Sequence, residues 1–170
     1  MAGAISQTTT DGKLIDYHSS QRPSEVAPWV SLRSIVDLLG LASPFMPMQV
    51  PIMPLWVMAP DGTPITPLGA AVSMLARAEA SGLAVHAETV QAVLDHGIDL
   101  AAAAIAKQVD QVLTAAGARW RDRLAEDEAA RLFGEARRQC AEDAAAEMDA
   151  GALEALIAWA FATPPEATVC

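Results

Sequence analysis

From Leu38 to Pro60 the chain carries no charged residue over 23 positions, yet five of them are Pro44, Pro47, Pro51, Pro54 and Pro60. The length matches a membrane span. Each proline, however, removes a helical donor and clashes with the preceding turn, at about 3 kcal/mol in a helix interior. Lipid offers no partner for the backbone groups set free in this way. The stretch therefore reads as extended, polyproline-like backbone rather than a spanning helix. It is also strongly apolar. Phe45, Met46, Met48, Ile52, Met53, Leu55, Trp56 and Met58 are too many side chains to leave in water, so they cover the chain's own helices or dock on another protein. Methionine adapts to irregular apolar surfaces, and a proline-stiffened backbone has less entropy to lose on docking. These eight residues are the predicted partner contact, with Trp29 or Trp159 as further anchors.

The rest of the chain divides around this segment. Residues 1–27 read as an extended polar arm; Asp11-Gly12 is a hairpin signal, but its flanks look too polar to make a stable one. Residues 28–67 comprise a first helix over Pro28–Leu39, stopped by Gly40, and then the Pro/Met-rich apolar segment. Leu55–Met58 predicts a short strand that turns at Pro60-Asp61-Gly62 and returns through Thr63–Thr66. Pro64 would confine that return to a sheet edge. Residues 68–163 read as a helical domain. One helix starts at Thr66-Pro67 and stops at Gly82, a second runs from Ala87 to His96 and is closed by Gly97, and a third runs from Asp99 through Gly117 to Leu124. Beyond Leu124 the apolar phase drifts, which predicts a break or a change of partner near Ala125–Ala130. Asp149 caps a last helix with Leu153, Leu156, Ile157, Ala160 and Phe161 inward, and Pro164-Pro165 opens a tail over 164–170. The expected fold is mostly α: a compact bundle of five or six helices with an extended arm, an extended Pro/Met segment and at most one short β-hairpin.

Charge narrows the function classes. The 170 residues hold 11 Lys+Arg against 21 Asp+Glu, a net charge of −10. A nucleic-acid binder needs clustered cations, and here six arginines over residues 118–170 sit among eleven acids. Two cysteines cannot staple a fold of this size. Met1–Gln21 lacks the basic start and apolar run of a secretory signal, so a cytoplasmic location is expected.

No nucleophile elbow, phosphate loop or dinucleotide fingerprint occurs in the sequence. His86 and Glu88 form an H-x-E, but the P-C-x-x-C that accompanies it in zinc deaminases is missing. Cys140 and Cys170 lie far apart, and no His or Cys interleaves with Met46-Pro47-Met48, so neither zinc nor copper is predicted and no cofactor is implied. Pro51-Ile52-Met53-Pro54, Asp61-Gly62 and Leu68-Gly69 together resemble a stretch in the small helical subunit of soluble methane monooxygenase hydroxylases. That resemblance implies a non-catalytic subunit gripping a larger partner. The sequence thus reads as a non-catalytic interaction or assembly protein, a subunit or adaptor in a multi-component enzyme or a virion-like particle, with a protein partner or homo-oligomer. The alternative is a small helical enzyme or ligand-binding domain whose pocket is lined by His86, Glu88, Asp95 and His96.

Overall fold

The computed structural model describes residues 4–9, 12–41, 53–116 and 121–161. In chain order the elements are β1 (Ile5–Thr8), β2 (Leu14–His18), β3 (Trp29–Ser31), α1 (Leu32–Leu38), β4 (Val57–Met58), β5 (Pro64–Pro67), α2 (Leu68–Ala80), α3 (Ala87–Ala116), α4 (Arg121–Ala150) and α5 (Ala152–Ala160). The chain is mostly helical, as the sequence predicts. The strands nevertheless form one five-stranded antiparallel sheet in the order β1-β2-β3-β5-β4, not a single hairpin.

The described part of residues 1–27 is not a free arm. β1 and β2 pair with Ile5 opposite Tyr17 and Thr8 opposite Leu14. In β2, Ile15 and Tyr17 alternate onto the core face, too few apolar residues to stand out among polar neighbours. The predicted start of the first helix also changes. Trp29 and Val30 pair with His18 and Tyr17 on one side and with Pro67 and Thr66 on the other. An aromatic and a β-branched residue fit this pleated surface well. Ser31 is still extended, with ψ 129°, and the helix begins at Leu32.

The predicted β4–β5 hairpin is present: Ala59 donates to the Thr63 carbonyl at 2.8 Å and Gly62 to Ala59 at 2.9 Å. β5, however, lies inside the sheet and β4 is the edge. β3 pairs only with Ile65, Thr66 and Pro67, so Pro64 projects beyond it and withholds no ladder bond.

Gly40 and Gly82 end α1 and α2 as predicted. Each takes a left-handed conformation, and the next residue, Leu41 or Leu83, donates back to Val36 or Ala78 in a Schellman closure. Gly97 does not end a helix. It lies inside α3, where a Cβ would come 2.5 Å from the Leu68 side chain, so the missing side chain serves close packing on α2. The expected helix from Asp99 to Leu124 is two helices, and the phase drift belongs to the second, which is continuous through Ala125–Ala130. Asp149 lies within α4 and Gly151 separates α4 from α5.

The main core joins Ile15, Tyr17 and Val30 of the sheet to α1, α2, the first half of α3 and α5. Tyr17 reaches across it to donate its hydroxyl to the Val93 carbonyl at 3.0 Å. Burial raises that phenol well above its ordinary pKa. On the opposite face of the sheet Trp29, Ala59 and Ile65 make a small second cluster. α3 and α4, thirty residues each and about 45 Å long, lie antiparallel: Gln111 and Val112 face Glu128, and Leu94 and Gly97 face Arg137 and Cys140.

Candidate functional site

Residues 19–28 connect β2 to β3 as an irregular strap lying on α3 and α4. Serine, proline and charge without periodicity favour such a loop, and local hydrogen bonds shape it. The Ser20 hydroxyl accepts from the Arg22 backbone at 3.0 Å and also bonds the Glu25 carboxylate. Ser24 stands at φ +64°, a conformation that a residue with a Cβ seldom adopts.

An ion cluster fastens the strap to α4. Arg22 forks onto Asp143 with contacts of 2.8 and 2.9 Å and stands 3.4 Å from Glu25. Its guanidinium carbon lies 5.2 Å from the centre of the Trp29 ring, whose Nε1 donates to Glu25 at 2.8 Å. Asp143 holds the guanidinium pKa above its ordinary value, chiefly by hydrogen bonding. Both carboxylates are buried, so one cation answers two desolvated anions. Removing it would leave charges in a poorly hydrated site, a change worth about 3 kcal/mol or more.

Among the described residues, cavities border the strap on several sides. One of about 110 Å³ lies under Arg22–Val26 against Leu132 and Gln139, and a more open one of about 510 Å³ runs from Ser24 to Val112 and Arg131. A third, of about 360 Å³, lies between His18, Glu25 and Lys107. A fourth, about 370 Å³, is a groove between α3 and α4 with Ala27 and Leu68 beneath it. Leu94, Gly97, Ile98 and Ala101 line one wall; Phe133, Ala136, Arg137 and Cys140 line the other. Both sets follow i, i+3, i+4, i+7, so each is one helical face.

Burial, reinforced by Asp143 and Glu25, pushes the Cys140 thiol up to about 11, leaving it protonated and weakly nucleophilic at neutral pH. His18 is buried with Nε2 unpartnered among the described residues. No group of three or more His, Cys, Asp or Glu among the described residues could hold a metal ion.

The residues predicted from sequence fall elsewhere. Phe45, Met46, Met48 and Ile52 lie outside the described residues. Leu55 belongs to the chain's own core, and Met53 and Trp56 pack partly buried against it; Met58 is 60 % exposed on the edge strand. Trp29 and Trp159 are buried within the chain, which removes them as outward anchors, and Phe161, expected inward, is exposed. His86 and Glu88 are exposed at the start of α3, and Asp95 and His96 follow two turns later, about 10 Å along the axis. Asp95 accepts from Gln91, and the His96 Nδ1 is buried without a hydrogen-bond partner among the described residues. None of these four lines the cavities around the strap. The strap cluster escapes sequence reading because Arg22 and Asp143 are 121 positions apart. The groove leaves a signal, two matching i, i+3, i+4, i+7 sets, that becomes legible only once α3 is known to continue through Gly97.

No family model matches the chain, and neither a curated protein nor a solved structure matches it significantly. The short resemblance over residues 51–69 therefore carries no argument further.

Proposed function

We propose that this protein is a non-catalytic interaction or assembly subunit. The observation that carries the reading is the far half of the α3–α4 hairpin. Beyond Ala101, α3 buries only Ile105 and Val109 among its described side chains, and α4 answers with Leu132 and a row of alanines. Val26 of the strap completes that small cluster. Two helices joined by a single narrow stripe bury little apolar area, so additional covering would stabilise them. Val112 and Leu124, 42 % and 39 % exposed, remain as contact points on this arm. Met58, exposed on a sheet edge of only two residues, supports the reading as a further contact point among the described residues.

The test is the mass of the assembly. Light scattering of the purified chain, alone and after tagged purification from its native source, should give a stoichiometric complex larger than 17.8 kDa. Glu at Val112 and Leu124 together should dissolve that complex with the helical circular dichroism unchanged. A monomer recovered without a stoichiometric companion in both preparations would refute the reading.

A further inference from the structure

Among the described residues, the groove between α3 and α4 has one charged lining residue, Arg137. In a chain of net charge −10, that cation has no ion pair or side-chain hydrogen bond among the described residues. Its neighbours on the same helix are occupied: Arg131 pairs with Glu128 and Glu135, and Arg138 pairs with Glu142. The difference follows from spacing. One turn to either side of Arg137 stand Phe133, Gly134, Cys140 and Ala141, none of them acidic. The remainder of the lining is apolar apart from a thiol that stays protonated. Ile98 and Phe133, 45 % and 40 % exposed, form the two rims.

We infer that this groove binds a single-chain anionic amphiphile, a medium-chain carboxylate whose tail lies between Ile98 and Phe133 and whose head group meets Arg137. Sites for small molecules are concave, mostly apolar and of roughly 300–1,000 Å³ with a few placed polar groups, and this groove of about 370 Å³ has that form. Its length sets the tail. Leu94 to Ala101 and Phe133 to Cys140 each span two turns, about 10 Å, which suits an eight- to ten-carbon chain. A partner helix fits less well, because two turns of groove fall far short of the roughly 800 Å² per partner that stable protein contacts bury. The inference is independent of the assembly reading, since the groove lies on the near half of the hairpin, away from Val112 and Leu124.

Calorimetric titration of the full chain with hexanoate, octanoate and decanoate below their micellar concentrations tests it, with octanol as the uncharged comparison. Affinity should rise about fourfold per added methylene, and octanoate should bind several-fold more tightly than octanol. Arg137→Gln should abolish the preference for carboxylate over alcohol while keeping the dependence on chain length. Ile98→Asp, at an exposed rim where folding is not at stake, should remove tail binding and leave circular dichroism unchanged. No saturable heat with decanoate, equal affinity for acid and alcohol, or adsorption to anionic vesicles without binding of the monomeric acid would each overturn the proposal.

Discussion

Glu147 is fully buried near the end of α4 and accepts from three donors on two other elements. It accepts from Ser73 at 2.7 Å and Arg77 at 2.5 Å on α2, and from the Leu153 backbone at 3.3 Å in the first turn of α5. It therefore supplies the N-terminal cap that Gly151, without a side chain, cannot. Glu147→Ala leaves the Ser73 hydroxyl and the Leu153 N–H without their acceptor and Arg77 with only the exposed Glu154, and should lower the unfolding free energy by about 3 kcal/mol in urea titrations. Glu154→Ala removes only the exposed second partner of Arg77 and should cost under about 1 kcal/mol. Cys140 gives a pH test. The folded thiol holds its proton up to about 11 against 9.0 for an ordinary thiol. Its stabilising contribution is complete below pH 9 and is lost as pH rises towards 11, on the order of 2–3 kcal/mol before solvent screening reduces it. Urea midpoints measured at pH 8 and 10.5 should separate for the wild type and converge partly for Cys140→Ala. Tyr17, also raised by burial, acts in the same direction at higher pH.

Among the elements, three helical glycines have different futures. Gly69 of α2 abuts α4 so closely that a Cβ would overlap the Cys140 backbone carbonyl. Gly97 of α3 would meet the Leu68 side chain rather than backbone, and Gly134 of α4 has open space around it. Alanine gains about 1 kcal/mol over glycine inside a helix. Gly134→Ala should thus stabilise by about 1 kcal/mol, Gly97→Ala should be near neutral to mildly destabilising, and Gly69→Ala should lose about 2–3 kcal/mol, ranked by thermal melting. Sequence reading treats Gly97 as punctuation because a glycine that stops a helix and one that admits a neighbour look alike until the neighbour is known. Gly40 and Gly82 are legible because a hydrophobic run ends at each. β2 and β3 are not, since pairs such as Ile15 with Tyr17 are too short to register a period of two.

At the scale of the whole molecule, the sheet, α1, α2 and α5 cover only the near half of the α3–α4 hairpin. Hydrogen exchange of the isolated chain should show residues 105–116 and 121–132 opening well before 90–101 and 140–150. Uniform protection along both helices of a monomer would contradict that ranking. The helical majority of the fold follows from local periodicity and is legible. The site is not, because it depends on contacts such as Arg22 with Asp143, which no local window contains.

The backbone contact of Gly69 with Cys140 has a mechanical consequence. With no side chain to cushion the crossing, it acts as a fulcrum on a lever about 45 Å long. A load applied at the tip of α4 would tilt α2 directly, and β5 runs without a linker into α2, so force reaching the far end of the molecule would be felt inside the sheet.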